Sequence, residues 1–338
     1  MNPEIRFTGP REIEIVDAGP VEPGPGEVAV RTNVSLISAG TEGSQYTGEE
    51  WEHTDGTRRP QYPATPGYSS AGVVTAVGEG VDQFAVGDRI TTAKSHVLEY
   101  TRAADCGFLW GIPDEVSDEA ATFCILGCTV LNGVRLGYPQ LGDAVCVIGL
   151  GVLGQLACQY LALTGAQTII GIELDQSRLD LALETGAITH AVNAAEDDAV
   201  EAVNALTDGR GADFVFEVTG LTPTFNTAFD VARRFGTVIA LGSPRWPAKV
   251  DMMTLHLKAL NCVGAIVSSH PSPENKRNRW HRMANGELFL KLAADGKMSL
   301  DELVTHRFSY DEPKDAYETA IGAREPALGV LFDWPQSV

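Results

Sequence analysis

A glycine-rich turn between an apolar strand and an apolar helix is the feature that most constrains the fold of this chain. The run Ala144-Val-Cys-Val-Ile148 is typical of a buried strand, and it leads directly into Gly149, Gly151 and Gly154. The residues that follow predict a helix, and strand and helix patterns then alternate as far as Val267. Because such alternation places strands side by side with helices crossing between them, it predicts a parallel sheet covered by helices.

The turn also has the features of a dinucleotide-binding site. Its first glycine allows a tight turn, the second lets the backbone approach a pyrophosphate, and the third lets helix and strand pack closely. Glu173 ends the next strand and can accept hydrogen bonds from ribose hydroxyls, which favours NAD over NADP. Arg178 keeps NADP open, since a guanidinium could contact an adenosine phosphate, although it could equally be a solvated helix residue. We expect cofactor contacts from Gly149, Gly151, Val152, Leu153, Gly154, Glu173, Arg178, Thr219, Gly242 and Gly264.

Composition excludes several classes of partner. A formal charge of −20 in 338 residues disfavours nucleic acid, and the most apolar stretch, 144–166, contains polar residues and glycines that suit a buried strand and helix better than a membrane span. The start of the chain is polar and gives no signal-peptide pattern, and the six scattered cysteines predict reduced thiols, so we expect a cytoplasmic location. The acid excess, with seven lysines against eighteen arginines, predicts a halophilic protein.

The remaining segments predict a second kind of domain. Residues 13–97 contain short alternating apolar runs separated by Gly and Pro, which indicates a β-rich fold. A helix is predicted from Ser117 to Leu136 with Ser117 as its N-cap, and the last stretch, Leu303 to Trp334, has strand, helix and strand character. We therefore expect three segments: 1–115, a β-rich N-terminal part; 116–267, the cofactor domain; and 268–338, which completes the first domain.

Short motifs along nearly the whole chain resemble those of the medium-chain dehydrogenase/reductase superfamily, which contains zinc alcohol and polyol dehydrogenases and zinc-free relatives. The resemblance implies an α/β protein in which a GroES-like β-rich catalytic domain flanks a doubly wound Rossmann domain, with the nicotinamide in the cleft between them. We also expect a homodimer or homotetramer. Besides the glycine turn, the motifs are Gly87-Asp-Arg89, Leu98-Glu-Tyr100, Ile112-Pro-Asp114, Gly142-Asp143, Leu181-Ala-Leu-Glu-Thr-Gly186, Glu217-Val-Thr-Gly220 and Ala240-Leu-Gly242.

The zinc ligands of that superfamily are where this sequence departs from it. The motif C-G-[ST]-D is replaced by Ala39-Gly-Thr-Glu42, and the histidine of G-H-E is replaced by Tyr68. The third ligand position falls on Cys124 or Ile125, and one thiolate cannot hold a catalytic zinc, which needs three protein ligands. Cys106 is the only cysteine between residues 90 and 113, so the structural zinc lobe is also missing. We expect no bound metal.

Without zinc, other groups must act on the substrate oxygen. The resemblance puts Thr41 at the position of the proton relay, and Tyr68 could present a phenolic donor supported by Ser69 or Ser38. His96 is a third candidate because histidine exchanges protons near neutral pH. Each also has a structural interpretation: Thr41 as a turn residue, Tyr68 as a buried aromatic, and His96 as a structural or exposed side chain.

These observations predict a zinc-independent, NAD-linked oxidoreductase that acts on a hydroxyl or carbonyl of a polar small molecule, such as a sugar or polyol. Two alternatives remain open. The first is reduction of an activated double bond or quinone, which zinc-free relatives perform. The second is a catalytically inactive NAD-binding sensor or scaffold, because a fold does not fix a function.

Overall fold

A computed structural model describes residues 1–49, 51–52, 58–244, 247, 249–273, 275–323 and 326–336. The chain divides into two compact units, which we name the terminal unit (Met1–Leu126 with Pro273–Val338) and the central unit (Gly127–Ser272). The sequence placed the domain boundaries after residues 115 and 267, and that functional division stays a prediction. The predicted fold class, a β-rich domain plus a parallel-sheet Rossmann domain, is confirmed.

The strands within the described residues are β1 (Pro3–Gly9), β2 (Glu12–Asp17), β3 (Glu27–Leu36), β4 (Trp51–Glu52), β5 (Arg58–Arg59), β6 (Ser70–Val77), β7 (Arg89–Thr92), β8 (Glu99–Ala103), β9 (Leu109–Gly111), β10 (Ala144–Ile148), β11 (Thr168–Glu173), β12 (His190–Asn193), β13 (Ala212–Glu217), β14 (Ala232–Ala240), β15 (Asn261–Gly264), β16 (Val304–Ser309) and β17 (Gly329–Asp333). The α-helices are α1 (Thr41–Thr47), α2 (Asp118–Thr122), α3 (Cys124–Gly137), α4 (Val152–Thr164), α5 (Gln176–Glu184), α6 (Ala199–Leu206), α7 (Thr222–Val231), α8 (Met252–Lys258), α9 (Arg282–Ala294) and α10 (Pro313–Ala320).

The central unit is built on a six-stranded sheet in the order β12-β11-β10-β13-β14-β15, with every neighbouring pair parallel. The chain first moves outward from β10 to β12 and then returns to place β13 on the other side of β10. The strand order therefore reverses at β10, and in doubly wound sheets ligands bind at the carboxyl ends of the strands at this reversal. Gly149 follows β10 directly, so the predicted turn lies at that place.

Aspartates start three helices of the central unit. Asp175 accepts a hydrogen bond from a first-turn N–H of α5, Asp198 does so for α6, and Asp251 for α8. Because the first N–H groups of a helix have no partner within it, each cap typically contributes about 1 kcal/mol. The core between sheet and helices is aliphatic and aromatic, with Ile170 and Phe229 among its buried residues.

The terminal unit contains a mostly antiparallel sheet in the order β16-β17-β3-β6-β7-β9, with β8 also paired to β3. Strand β17 comes from the end of the chain and pairs with β3 near its start, Leu331 opposite Leu36. This pairing explains why both ends of the sequence belong to one unit. The predicted strand, helix and strand between Leu303 and Trp334 correspond to β16, α10 and β17.

The predicted helix from Ser117 to Leu136 is interrupted. Ser117 caps α2 as expected, since its Oγ accepts from Ala120 N–H at 3.0 Å. The N–H of Phe123 then bonds to the Ala120 carbonyl, three residues back, at 3.2 Å. This tight last turn ends α2, and α3 begins at Cys124.

Two further sequence expectations concern the chain as a whole. None of the helices among the described residues is both long and apolar enough to cross a bilayer. All six cysteines, each of which lies in the described part, are free thiols. Burial raises the pKa values of Cys146 and Cys158, which favours their neutral thiols.

Candidate functional site

The glycine turn of the central unit combines close packing with open space. Gly149 has φ +93°, a conformation that L side chains rarely adopt, and a Cβ on Gly154 would lie 1.9 Å from the Gly149 carbonyl oxygen. Gly151, in contrast, has no neighbouring atom within 4 Å of an added Cβ. Gly149 therefore has the backbone conformation of a tight turn, Gly154 the close packing of a helix contact, and Gly151 an open backbone position.

Helix α4 begins directly after this open position. Gly151 is its N-cap and offers no side-chain oxygen to the first N–H groups. Val152 and Leu153 form the first turn and are half-buried. The N-terminus of α4 can therefore receive an anionic group, because its N–H groups and its dipole both favour negative charge there.

Glu173 lies at the edge of the same turn. Its Oε2 accepts a hydrogen bond from Leu150 N–H at 2.7 Å, and its Oε1 accepts from Leu174 N–H at 2.7 Å. The Nη1 of Arg178 is 3.5 Å from Glu173 Oε2. The structure thus brings together the glycine turn, Glu173 and Arg178, with the guanidinium held by the carboxylate.

A buried carboxylate orders the next loop, and sequence reasoning missed its role. Glu217, at the end of β13, is 0% exposed and accepts hydrogen bonds from Thr219 N–H at 2.9 Å, Gly220 N–H at 3.0 Å and the Thr224 hydroxyl at 2.9 Å. Burying a carboxylate is costly unless several donors satisfy it, as they do here. The sequence pattern that indicates this role is an acidic residue at the end of an apolar strand, followed by threonine and glycine.

The other predicted cofactor residues follow the neighbouring strands. A Cβ on Gly242 would lie 2.4 Å from Gly220 N, so the loops after β13 and β14 are in direct contact. Gly264 ends β15 and pairs in register with Ala240. Thr219 and Gly242 are therefore close together, whereas Gly264 lies on the outermost strand of the sheet.

In the terminal unit, Tyr68 and Ser38 form a hydroxyl pair. The half-buried Tyr68 phenol donates a hydrogen bond to Ser38 Oγ. Ser69 was the other predicted supporter of Tyr68, but it is only 1% exposed and its Oγ has no hydrogen-bond partner among the described residues. Thr41 is the first residue of α1, three positions after Ser38, and is half-buried. Of the two serines left open by the sequence, Ser38 is the partner.

His96 lies in the interior of the terminal unit. Its side chain is 0% exposed, its Nε2 lies 2.9 Å from Glu42 Oε2, and its Nδ1 lies 2.8 Å from Ser35 Oγ. Both ring nitrogens therefore have protein partners. In this arrangement the imidazole is closed off from solvent.

Comparison with known proteins gives matches in both units. Residues 24–138 match the family model described as the alcohol dehydrogenase GroES-like domain, and residues 152–285 match the model described as zinc-binding dehydrogenase. The chain belongs to the medium-chain dehydrogenase/reductase superfamily, in its zinc-type alcohol-dehydrogenase-like branch. This confirms the resemblance read from the sequence motifs.

Relatives of this medium-chain dehydrogenase differ in their named activities. An L-threonine 3-dehydrogenase of Pyrococcus furiosus is 27% identical over 90% of this chain and 91% of its own length. A quinone oxidoreductase of Salmonella typhimurium is 27% identical over 92% of each. A solved oxidoreductase/dehydrogenase of unknown specificity from Escherichia coli has a TM-score of 0.86 at 17% identity, covering 99% of both chains, and supports the fold. The chain is thus an oxidoreductase of the medium-chain type.

The positions matched to zinc ligands in this medium-chain dehydrogenase carry at most one thiol. Ala39 has no donor atom, Tyr68 donates to Ser38, and the buried Cys124 has its Sγ 3.9 Å from the Gly286 carbonyl oxygen. Ile125, the alternative third position, is apolar. Among the residues that the structure describes, no three His, Cys, Asp or Glu side chains are grouped closely enough to hold a metal. The donor set therefore does not fit a catalytic zinc.

Proposed function

We propose that this chain is a zinc-independent, NAD-linked dehydrogenase that transfers hydride between nicotinamide and a hydroxyl or carbonyl of a polar small molecule of the sugar or polyol type. The observation that carries the proposal is the glycine turn, where the open space at Gly151 faces no side chain and the Glu173 carboxylate lies at the edge. The relatives named as dehydrogenases support the same reaction class.

The residues around the turn fit a dinucleotide. The N-terminus of α4 would hold the diphosphate, and Glu173 would accept a ribose hydroxyl and repel a 2′-phosphate, which favours NAD. Arg178 would stay with Glu173 rather than bind a phosphate, since the two groups are 3.5 Å apart. When bound, the nicotinamide supplies or accepts the hydride.

Tyr68 is the group we assign to the substrate oxygen. A phenol can donate a hydrogen bond to an oxygen on which negative charge develops. The Ser38 hydroxyl would then turn to donate to the Tyr68 oxygen, which frees the phenol proton for the substrate and keeps the phenol oriented. Thr41, at the start of α1 and three positions after Ser38, is the second hydroxyl that we assign to the substrate oxygen. His96 is assigned no contact with substrate because its ring is fully buried and both nitrogens are bonded within the protein.

The second candidate function is reduction of a quinone or another activated double bond. Its support is the relative named as a quinone oxidoreductase, which is as similar to this chain as the threonine dehydrogenase is. Both relatives are 27% identical to this chain, so a substrate assay decides between the two reactions.

The experiment is a substrate panel followed by the change in NADH absorbance: L-threonine, 2,3-butanediol, sorbitol, a cyclic enone and 1,4-benzoquinone. We expect turnover with at least one alcohol, unchanged after dialysis against EDTA. Turnover confined to the enone or quinone would support the second candidate, and NADH binding with no turnover would support a sensor or scaffold. One zinc per chain, together with loss of activity on chelation, would refute zinc independence.

Tyr68→Phe tests the assigned donor. Removing one donor to a developing oxyanion commonly lowers kcat by about 10²–10³, and we expect a loss of that order with NADH affinity unchanged. Tyr62→Phe is the matched control, because Tyr62 is also half-buried in the terminal unit and its phenol bonds to the Gln45 carbonyl. Equal kcat for Tyr68→Phe and the native protein would remove Tyr68 from the mechanism.

A further inference from the structure

A buried carboxylate in the terminal unit is bonded by donors from separate parts of the chain. Glu42 is 1% exposed; its Oε1 accepts from Ser38 N–H at 2.8 Å, and its Oε2 accepts from the Tyr317 hydroxyl at 2.6 Å. His96 Nε2 lies 2.9 Å from the same Oε2. These three donors offset the cost of removing the carboxylate from water.

One assignment of protons satisfies the whole cluster. The indole N–H of Trp334 can only donate, and it lies 2.9 Å from Ser35 Oγ, which leaves the Ser35 proton available for His96 Nδ1. With a proton on Nε2, the imidazole donates to Glu42 while its Nδ1 accepts from Ser35. Burial, followed by the negative charge of Glu42, raises the pKa of Tyr317 well above its usual value, so Tyr317 remains a donor.

The cluster holds the Ser38 side of the hydroxyl pair. The Glu42 N–H donates to the Ser38 carbonyl at 2.9 Å while the Ser38 N–H donates to the Glu42 carboxylate. These two reciprocal bonds fix the backbone of Ser38 at the start of α1. The Ser38 hydroxyl, which accepts the bond from Tyr68, is therefore held in place by Glu42.

The cluster also holds the Tyr68 side. The backbone N–H of His96 donates to the Pro66 carbonyl at 3.0 Å. Gly67, with φ +97°, packs so closely on His96 that a Cβ there would lie 2.7 Å from His96 N and 2.8 Å from the ring Cδ2. The turn that leads into Tyr68 therefore lies directly against the imidazole.

We propose that Glu42 and His96 are positioning residues that hold Ser38 and Tyr68 in register, so that the Tyr68 phenol is presented to the substrate oxygen in one orientation. The inference rests on the proposed role of Tyr68. Because a misplacement of about 1 Å can cost about 10²-fold in rate, loss of the cluster lowers kcat even though neither residue touches the substrate.

The test is a double-mutant cycle between His96→Gln and Tyr68→Phe, using the alcohol of the panel that is turned over fastest. We expect His96→Gln to lower kcat by about tenfold or more in the native background and to have little further effect in Tyr68→Phe, since the group it positions is then absent. The half-buried His306, whose Nδ1 bonds to the adjacent Thr305 hydroxyl, provides the control His306→Gln, with kcat unchanged.

Each outcome of the cycle has one meaning. If His96→Gln lowers kcat by the same factor in both backgrounds, or does not lower it in the native background, the positioning role is overturned. A Tyr68→Phe variant with native kcat would instead remove Tyr68 from the proposed mechanism, and the inference with it. Glu42→Gln provides the second variant if His96→Gln does not fold. Its amide NH₂ must face one of the donors around position 42 and cannot accept that donor's hydrogen bond, so the cluster is broken at one place. Tyr317→Phe removes a single donor and serves if both unfold.

A spectroscopic readout needs no substrate. We expect 3-fluorotyrosine at position 68 to give one narrow ¹⁹F resonance in the full native chain and a broadened or split resonance in His96→Gln and Glu42→Gln. The same label at Tyr160, whose phenol bonds to the Gly127 carbonyl in the central unit, should keep its resonance in all three proteins. A position-68 signal that does not change in the variants would refute the inference.

Discussion

Replacing Gly151 with alanine separates cofactor binding from stability at the glycine turn. Gly151 has φ −63° and ψ −173°, which alanine adopts without strain, and an added Cβ meets no atom within 4 Å. An alanine at the N-cap typically destabilises the folded protein by about 1 kcal/mol. Alanine also lowers the conformational entropy of the unfolded chain, which stabilises the folded protein by about 0.4–1 kcal/mol. We therefore expect the Tm of the unliganded protein to change by less than about 4 °C.

The effect on the cofactor should be much larger. The methyl group would fill the space that a diphosphate needs beside the first turn of α4 and remove at least one backbone hydrogen bond to it. A hydrogen bond to a charged group contributes about 1.5–3 kcal/mol, which corresponds to an increase of about 10- to 150-fold in the Kd of NADH.

Fluorescence titration with NADH measures this Kd, and thermal unfolding without ligand measures stability. Gly154→Ala is the contrasting variant: its Cβ would lie 1.9 Å from a backbone oxygen, so we expect a destabilisation of about 1–3 kcal/mol. If Gly151→Ala binds NADH with the native Kd, the open space at Gly151 is not the diphosphate site.

Three further predictions concern the cofactor, a helix cap and the charge of the chain. Glu173→Ala is expected to weaken NADH binding and reduce the preference for NADH over NADPH, and an unchanged ratio of the two Kd values would contradict the ribose assignment. Asp175→Ala is expected to cost about 1 kcal/mol in urea unfolding at pH 7 because the cap of α5 is lost. Hydrogen bonds from Ser177 lower the pKa of Asp175 in the folded protein. The difference in unfolding free energy between native protein and variant is therefore present above about pH 4 and disappears as the pH falls through that lowered pKa. A free-energy difference that is constant at all pH values would refute this prediction. Raising KCl from about 0.1 M to 1 M shortens the Debye length from about 10 Å to 3 Å, and with a net charge of −20 the Tm should rise, whereas a fall in Tm would contradict the halophilic assignment.

The central unit could be predicted from the sequence because its information is local. Each buried strand is a short apolar run, and each turn has its glycine or aspartate within a few residues, as at Gly149 and Asp175. Once the strands and helices alternate, the handedness of the crossovers leaves few possible strand orders. The predicted parallel sheet follows from these local signals.

The cluster around Glu42 could not be predicted in the same way. Tyr317 and Trp334 contact Glu42 and Ser35 from 275 and 299 residues away in sequence, and no periodic pattern indicates such pairs. For the same reason the sequence made His96 a candidate for direct catalysis. Only the packing of α10 and β17 shows that the ring is enclosed.

The pairing of β17 with β3 has a consequence for biosynthesis. A ribosome releases residues 127–272 before Trp334 is made, so the central unit can fold while the chain is still being synthesised. Ser35, Glu42 and His96 must wait for their last partners, and until then a carboxylate destined for the interior remains hydrated. A chain that stops before Tyr317 would therefore lack two donors of the cluster, the Tyr317 hydroxyl and the Trp334 indole N–H, while the glycine turn would already be complete.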